Sequence, residues 1–508
     1  MDFSLKKENI SNIVSVYDSN ISQNIDSDIT LPEYVDDIET VLNCFLTGEI
    51  ETSSFNDGRI TVEGYALIRL IYTSKNGTLH CFESTVPFSR FADAQNVEAN
   101  DCLSISACTQ YVNCRLVNPR RFDIHGNIVI SVKASRITNQ SVINSVEGAG
   151  LQARCRTVEV SNACAVSEKA FSLSEVLELS EDSPSIAQII SINASPDLSE
   201  TKLISQKALV KGDMTLDVYY IADDKQDKVC CAQFTLPISQ IVETEGGDEG
   251  CCSQTSVTVC SVNYTVRADS LGAIRLLDVS VGARAKVSVF KNEEIQIISD
   301  AYSTEYEIEC ERKNIQARCL KDQFSDTCLC RTGFSSTGKE IANVLSLLTR
   351  ELTSNTSRRD GKLIINGTVR AGLIIEYSDG EKGYIEKTLE YEYSREEGNE
   401  EFICEKSVRV NASSFLVTSP TNIDVRVEIE IEACVFKEEC LAAITDIAVK
   451  EDCKKTPCRA AITLYYPNKD ESIWDIAKRY NTTVTAITEE NRLEEGAGKC
   501  RMLMIPRM

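Results

Sequence analysis

Three stretches of this chain repeat one another in register, and that repetition constrains the fold more than any other feature. Each carries an apolar Ile-x-x-Val/Ile-Leu/Ile step: Ile38, Val41 and Leu42; Ile186, Ile189 and Ile190; Ile341, Val344 and Leu345. A glycine follows 22 positions after the last residue of every step, at Gly64, Gly212 and Gly367. An internal period of this kind makes each copy one folding unit of the same architecture. The i, i+3, i+4 spacing within the step predicts a short helix.

After each glycine, a run rich in Val, Ile, Tyr and Phe ends at Tyr72, Tyr220 or Tyr377, and a second run ends at Ser89, Ser239 or Ser394. Between the runs stand Lys75-Asn76-Gly77, Asp223-Asp224-Lys225 and Asp379-Gly380, which is the turn chemistry of a β-hairpin. A Val-Asn pair recurs at Val112-Asn113, Val262-Asn263 and Val410-Asn411, followed by long alternating stretches. In one of these, Ile423, Val425, Val427, Ile429 and Ile431 share a face opposite Asp424, Arg426, Glu428, Glu430 and Glu432, so one face is buried and the other solvated. The expectation is a mainly β chain of three tandem β-rich domains, each a small sandwich or partly open barrel with a short helix. They fall at 20–145, 168–305 and 331–450, after an N-terminal extension at 1–19. Connectors are expected around Ser145 to Gly150 and from Glu311 to Ser325. Cys81 and Cys231 match between copies while the third has Glu386 there, which favours packing over a shared reactive thiol.

From residue 459 to 508 the grammar changes. A short strand ITLYY, a turn, a helix IWDIAKRY, a second turn, a helix VTAITEENRL and a strand MLMIP give the order βααβ. Ser472 is placed to cap the first helix and Thr483 the second, and Ile473, Ile476, Ala477 and Tyr480 form an inward stripe.

Charge and cysteine usage narrow the function classes. Lys plus Arg is 53 against 77 Asp plus Glu, a net charge of −24, so a nucleic-acid backbone would be repelled at long range. Met1 to Val16 lacks the apolar run of an export signal, and no stretch reaches the roughly 18 apolar residues of a membrane span. A cytosolic protein is expected, with its 22 cysteines reduced rather than paired. They lack the spacing of zinc sites and read as buried hydrophobes or as thiols for later oxidation. Gly333 to Glu340 approaches a phosphate-binding loop, but Glu340 stands where the hydroxyl residue belongs. Only His80 and His125 are available for acid–base work, so a Cys/His or Ser/His/Asp site would have to be assembled from almost nothing. No enzyme activity, metal or cofactor is expected.

The C-terminal residues Ser472, Ile473-Trp474-Asp475-Ile476-Ala477, Tyr480-Asn481-Thr482-Thr483-Val484, Asn491 and Leu503-Met504-Ile505-Pro506 resemble a LysM domain. The resemblance implies a ligand groove formed by Asp470, Glu471, Ser472, Ile473, Asn491, Arg492 and Leu493, and an N-acetylglucosamine polymer as the usual ligand. Asp470, Glu471 and Cys500 depart from the family pattern, and a side chain in place of glycine fills space a sugar backbone would need. A protein ligand is therefore the better expectation. The three repeats with their step and glycine resemble SPOCS domains. The whole layout is similar to the spore-coat morphogenetic proteins of the SipL type and to stage VI sporulation protein D. What this implies is a non-catalytic scaffold in the mother-cell cytosol at the outer forespore membrane, recruiting a coat ATPase, stage IV sporulation protein A, through the LysM. The alternative is a protein that binds peptidoglycan through that module.

Overall fold

The computed structural model describes residues 4–506 except 149, 224–227, 337, 351, 399–400, 456–461, 469–470 and 494–501, and the side chains of 451–452. Alternating apolar residues make strands through all three repeats. The first runs β1 (Ser4–Thr30), β2 (Thr40–Asn56), β3 (Arg59–Thr73), β4 (Leu79–Asp93), β5 (Cys102–Asn118) and β6 (Arg121–Glu147). The second runs β7 (Leu151–Glu178), β8 (Ile186–Ile204), β9 (Lys207–Ala222), β10 (Val229–Glu243), β11 (Cys252–Ala268) and β12 (Ile274–Ser303). The third divides its second strand in two: β13 (Tyr306–Ser335), β14 (Ile341–Arg350), β15 (Asn355–Arg359), β16 (Lys362–Tyr377), β17 (Lys382–Glu396), β18 (Phe402–Ser419) and β19 (Asn422–Lys454).

Each repeat folds into two antiparallel sheets. In the first these are β2-β3-β4 and β1-β6-β5, and the same order recurs in the second and third. The sheets close over a shared core: Ile60, Ile68 and Tyr72 come from one, Ile124, Ile128 and Val132 from the other. That is a β-sandwich, with interdigitating inner faces. The alternation expected in the third copy is present, since Ile423, Val425, Val427, Ile429 and Ile431 are all buried. The turns at Lys75 to Gly77 and Asp379-Gly380 join hairpin strands. In the second copy the corresponding Asp224 and Lys225 lie outside the described residues.

The expected helix in each repeat is absent: the steps from Ile186 and Ile341 lie in β8 and β14, and that from Ile38 leads into β2. Val41 pairs with Tyr72 and Asn43 with Ile71, leaving Leu42 as the extra residue of a β-bulge. Ile190 sits likewise between the Ile189–Tyr220 and Ser191–Tyr219 pairs, and Leu345 between Val344–Ile375 and Ser346–Ile374. A bulge inserts one residue into a period-two strand. In the second and third copies an earlier bulge, at Ala187 and at Ala342, puts Ile186 with Ile189 and Ile341 with Val344 on one face three apart, and the extra residue of the next bulge follows as the fourth, as on a helix. The same register places Tyr384, rather than Glu386, opposite Ile374, where Cys81 and Cys231 face Ile71 and Tyr219.

The bulges also explain how the repeats assemble. β4 packs on β8, β10 on β14 and β17 on β2. These are equivalent strands, so the three sandwiches close a ring of approximate threefold symmetry. On its axis Leu42, Ile190 and Leu345 gather with Ile71, Tyr219 and Ile374 in one apolar cluster. Beneath this cap lies a cavity of about 570 Å³, lined from all three repeats by Phe45, Asn193 and Leu348 at equivalent positions.

The outer halves of the longest strands continue past the sandwiches as three two-stranded ribbons, β1–β6, β7–β12 and β13–β19. Ile10 and Val142, Val158 and Ile295, and Ile315 and Leu441 pack together from the three ribbons. Nearer the tip, Ile143, Ile298 and Ile444 do the same. The ribbons thus form a triangular stalk on the ring's axis, about 40 Å long for twelve or so residues at strand rise. Residues 4–19, expected as an extension, belong to β1, and Glu311 to Ser325, expected as a connector, belongs to β13. The repeats are joined where β6 ends at Glu147 and β7 begins at Leu151, and by the short turn from Ser303 to Tyr306.

Candidate binding site in the C-terminal module

The last module has the expected order: β20 (Ile462–Tyr465), α1 (Ile473–Tyr480), α2 (Val484–Glu490) and β21 (Leu503–Pro506). Ser472 caps α1 by accepting from the Asp475 amide at 3.2 Å. Thr483 caps α2 by accepting from the Ala486 amide at 3.0 Å. Between them Asn481 takes the left-handed conformation, φ 52°, which asparagine tolerates better than most residues. Ile476, Ala477, Ile487, Leu503 and Ile505 form the core.

Of the seven expected groove residues, Asp470 lies outside the described residues, as does Cys500. Glu471 is held from three sides. Its carboxylate accepts from the Tyr465 hydroxyl at 2.7 Å, pairs with Arg479 at 2.6 Å and accepts from the Asn468 amide at 3.3 Å. The Tyr465 hydrogen bond, with Arg479 beside it, keeps this carboxyl below its ordinary pKa. Ser472 is spent on its cap, and Ile473 and Leu493 pack against the core. Asn491 is an internal clamp: it donates to Ile487 O at 2.8 Å and Met504 O at 2.6 Å and accepts from the Met504 amide at 2.7 Å. Arg492 alone of the described six is exposed, at φ 47°. Sequence reasoning missed Tyr465 and Arg479, although the first tyrosine of ITLYY was the available signal.

A different surface of the module is open. Ile462, Leu464 and Tyr466 alternate along β20 and its exit, 51 %, 57 % and 68 % exposed, beside Met502 at 42 %. The outer face of this small sheet is therefore apolar and uncovered, which in an acidic chain marks a contact surface.

The opposite side of the module is docked on the stalk. The Trp474 indole N–H donates to Asp300 Oδ2 at 2.8 Å, Lys478 donates to the same carboxylate at 2.8 Å and Arg312 adds a second cation. Partial burial opposes ionisation of Asp300, but these donors outweigh it and hold its pKa below the ordinary value. The Tyr302 ring meets Trp474 edge-on at 5.0 Å, and its hydroxyl donates to Thr482 O at 2.7 Å.

The remaining chemical motifs resolve structurally. Gly333 to Ser335 end β13, β14 rather than a helix follows, and Lys339 pairs with Asp379 and Glu381; a phosphate loop needs a helix N-terminus at that point. His125 meets Asp26 at 2.7 Å, and His80 stacks on Tyr72 beside Asp36. Among the described residues no cluster of three His, Cys, Asp or Glu side chains is placed to hold a metal. No described helix is long and apolar enough to cross a membrane.

Fold and site together define a tandem β-sandwich protein carrying a small βααβ binding module. Comparison with protein families places the SipL, SPOCS domain at residues 37–117 and 185–267 and the LysM domain at 468–496. The chain thus carries SipL-type SPOCS domains followed by a C-terminal LysM domain, as the residue motifs implied. The third sandwich shares the strand order, the bulge and the glycine of the two matched copies. No curated protein and no solved structure matches the chain.

Proposed function

We propose that this chain is a non-catalytic scaffold of spore-coat assembly, acting in the mother-cell cytosol at the outer forespore surface. Its LysM domain holds a protein partner, the coat ATPase called stage IV sporulation protein A. The observation that carries the protein-binding half of this reading is the contrast between the module's two free surfaces. The glycan groove has its carboxylate already engaged by Tyr465 and Arg479, whereas the outer sheet face offers uncovered apolar side chains, the material of protein interfaces. The SPOCS ring and its stalk hold that face at a fixed distance from the coat contacts.

The test is co-purification of the ATPase with the full chain and its variants. Deleting 459–508, or placing aspartate at Ile462 and Leu464, is expected to abolish capture, while Arg492→Ala leaves it intact. Capture that survives the deletion sinks the partner assignment. Micromolar binding of chitin oligomers in calorimetry would instead support a peptidoglycan-binding protein.

A further inference from the structure

Under the axial cap the third repeat departs from the other two in charge. One step below Phe45, Asn193 and Leu348, on the same strands, stand Thr47, Ser195 and Arg350. Across the β2–β3, β8–β9 and β14–β16 ladders these pair with Leu67, Thr215 and Arg370. The first two copies are thus uncharged here, whereas the third sets two arginines directly opposite each other. Their Cβ atoms stand about 4.5–5.5 Å apart, a spacing at which like charges destabilise a sheet. Both arginines line the axial cavity.

That wall is cationic although the chain carries a net charge of −24. Among the described residues the lining holds Arg69, Arg350 and Arg370 against two carboxylates, Glu49 and Glu386. Arg69 is turned to Glu83. Glu49 accepts from the Tyr65 hydroxyl at 2.7 Å, and burial pushes its pKa up. Glu386 accepts from the Tyr384 hydroxyl at 3.2 Å and lies 3.8 Å from Arg370, long for a charge-assisted hydrogen bond. Arg350 lies over the Phe45 ring at 3.5 Å, which brings its guanidinium from the third repeat to the wall of the first. The side chains of Arg370 and Glu386 are 43 % and 41 % exposed, so this side of the cavity opens to solvent. The chain contains its own contrast. Arg331 and Arg426 also stand opposite each other, but both are exposed, and water weakens their repulsion without any ligand.

We propose that the Arg350–Arg370 pair anchors a small-molecule site in the axial cavity, whose ligand carries a phosphate or carboxylate group. An oxyanion seated between the two guanidinium forks accepts hydrogen bonds from both and cancels the repulsion that the register imposes. The cavity, at about 570 Å³, falls within the roughly 300–1,000 Å³ of small-ligand pockets. Asn43, Thr47 and Asn193 offer uncharged polar groups to the rest of the molecule. A ligand held there would touch all three repeats and so brace the ring around it.

The test is calorimetric titration of the full chain with inorganic phosphate and, separately, with citrate, in chloride buffer of matched ionic strength. At least one should bind saturably, one per chain, with a dissociation constant of about 1 mM or tighter. Binding of phosphate alone marks a phosphoryl ligand, and binding of citrate alone a carboxylate. Arg350→Met and Arg370→Met should each weaken that binding about tenfold or more, while Arg331→Met leaves it unchanged. If the methionine variants do not fold, Arg350→Lys keeps the charge without the fork and should still bind more weakly than the natural chain. The proposal fails if neither anion binds the natural chain saturably, or if the folded Arg350 and Arg370 variants bind as tightly as it does.

Discussion

Alanine at Gly212 should cost about 2–4 kcal/mol of stability. Gly212 pairs with Leu198 beside a bulge at Ser199, and a Cβ there would fall deep inside the 3.0 Å minimum from the carbonyl oxygen of Asp197. That oxygen belongs to backbone and cannot rotate away, so β8 would have to withdraw by about 1 Å. Such a shift weakens about two ladder hydrogen bonds at roughly 1 kcal/mol each and adds about 1–3 kcal/mol of overpacking. The reduced freedom of the unfolded alanine chain returns about 0.4–1 kcal/mol. Gly64 and Gly367 meet Glu49 O and Thr353 O in the same way, so all three substitutions should behave alike. The control is Gly333→Ala, whose Cβ would meet only Asp424 Oδ1 at 3.6 Å; it should stay within about 0.5 kcal/mol of the natural chain. Urea unfolding followed by far-ultraviolet circular dichroism gives both numbers. If Gly212→Ala and Gly333→Ala unfold at the same midpoint, the account of the repeat's glycine is wrong.

Asp300→Ala should undock the LysM module at a cost of about 1–2 kcal/mol after solvent screening, and Trp474, the sole tryptophan, should report it as a red-shifted emission. Because the folded pKa of Asp300 lies below its ordinary 3.8, its contribution is complete above that value and lost as pH falls through the depressed one; a red shift appearing instead on alkalinisation would contradict this. Ser472→Ala and Thr483→Ala should each destabilise the module by about 1 kcal/mol, read from its own thermal transition. Ile374→Ala removes a fully buried side chain from the axial cluster and should cost about 2–5 kcal/mol in urea unfolding. Gln206 holds φ 66° in the β8–β9 turn, where the other copies have Gly58 and Gly361; Gln206→Gly should therefore stabilise by about 0.5–1 kcal/mol, measured as a raised melting temperature.

What could be read from sequence was whatever a short window encodes. The strand alternation at Ile423 to Ile431, the caps at Ser472 and Thr483, and the strand–helix–helix–strand order all rest on contacts close along the chain. The apolar steps at Ile186 to Ile190 and Ile341 to Leu345 misled for a physical reason, because two closely spaced bulges and a helical turn both put apolar residues at i, i+3 and i+4. The stalk was invisible: its strands at 4–19 and 306–325 are held by partners more than a hundred residues away, and polar residues on the ribbons' outer faces made them look like linkers. Docking of Trp474 on Asp300 was equally out of reach, since the two are joined only through the folded stalk. In the groove, residue identities carried over from the LysM pattern, but their commitments did not. Asn491 and Leu493 turned out to hold the module together, and Glu471 was already engaged.

The ring closes within a single chain, and this fixes valency. Three separate single-sandwich subunits would bring three tails to the axis and could grip a surface with avidity, whereas this molecule brings one. The proposed attachment through the LysM would therefore be monovalent for each chain, with a lifetime set by a single off-rate unless chains associate. In return the ring does not fall apart on dilution, so the first molecules made are already complete.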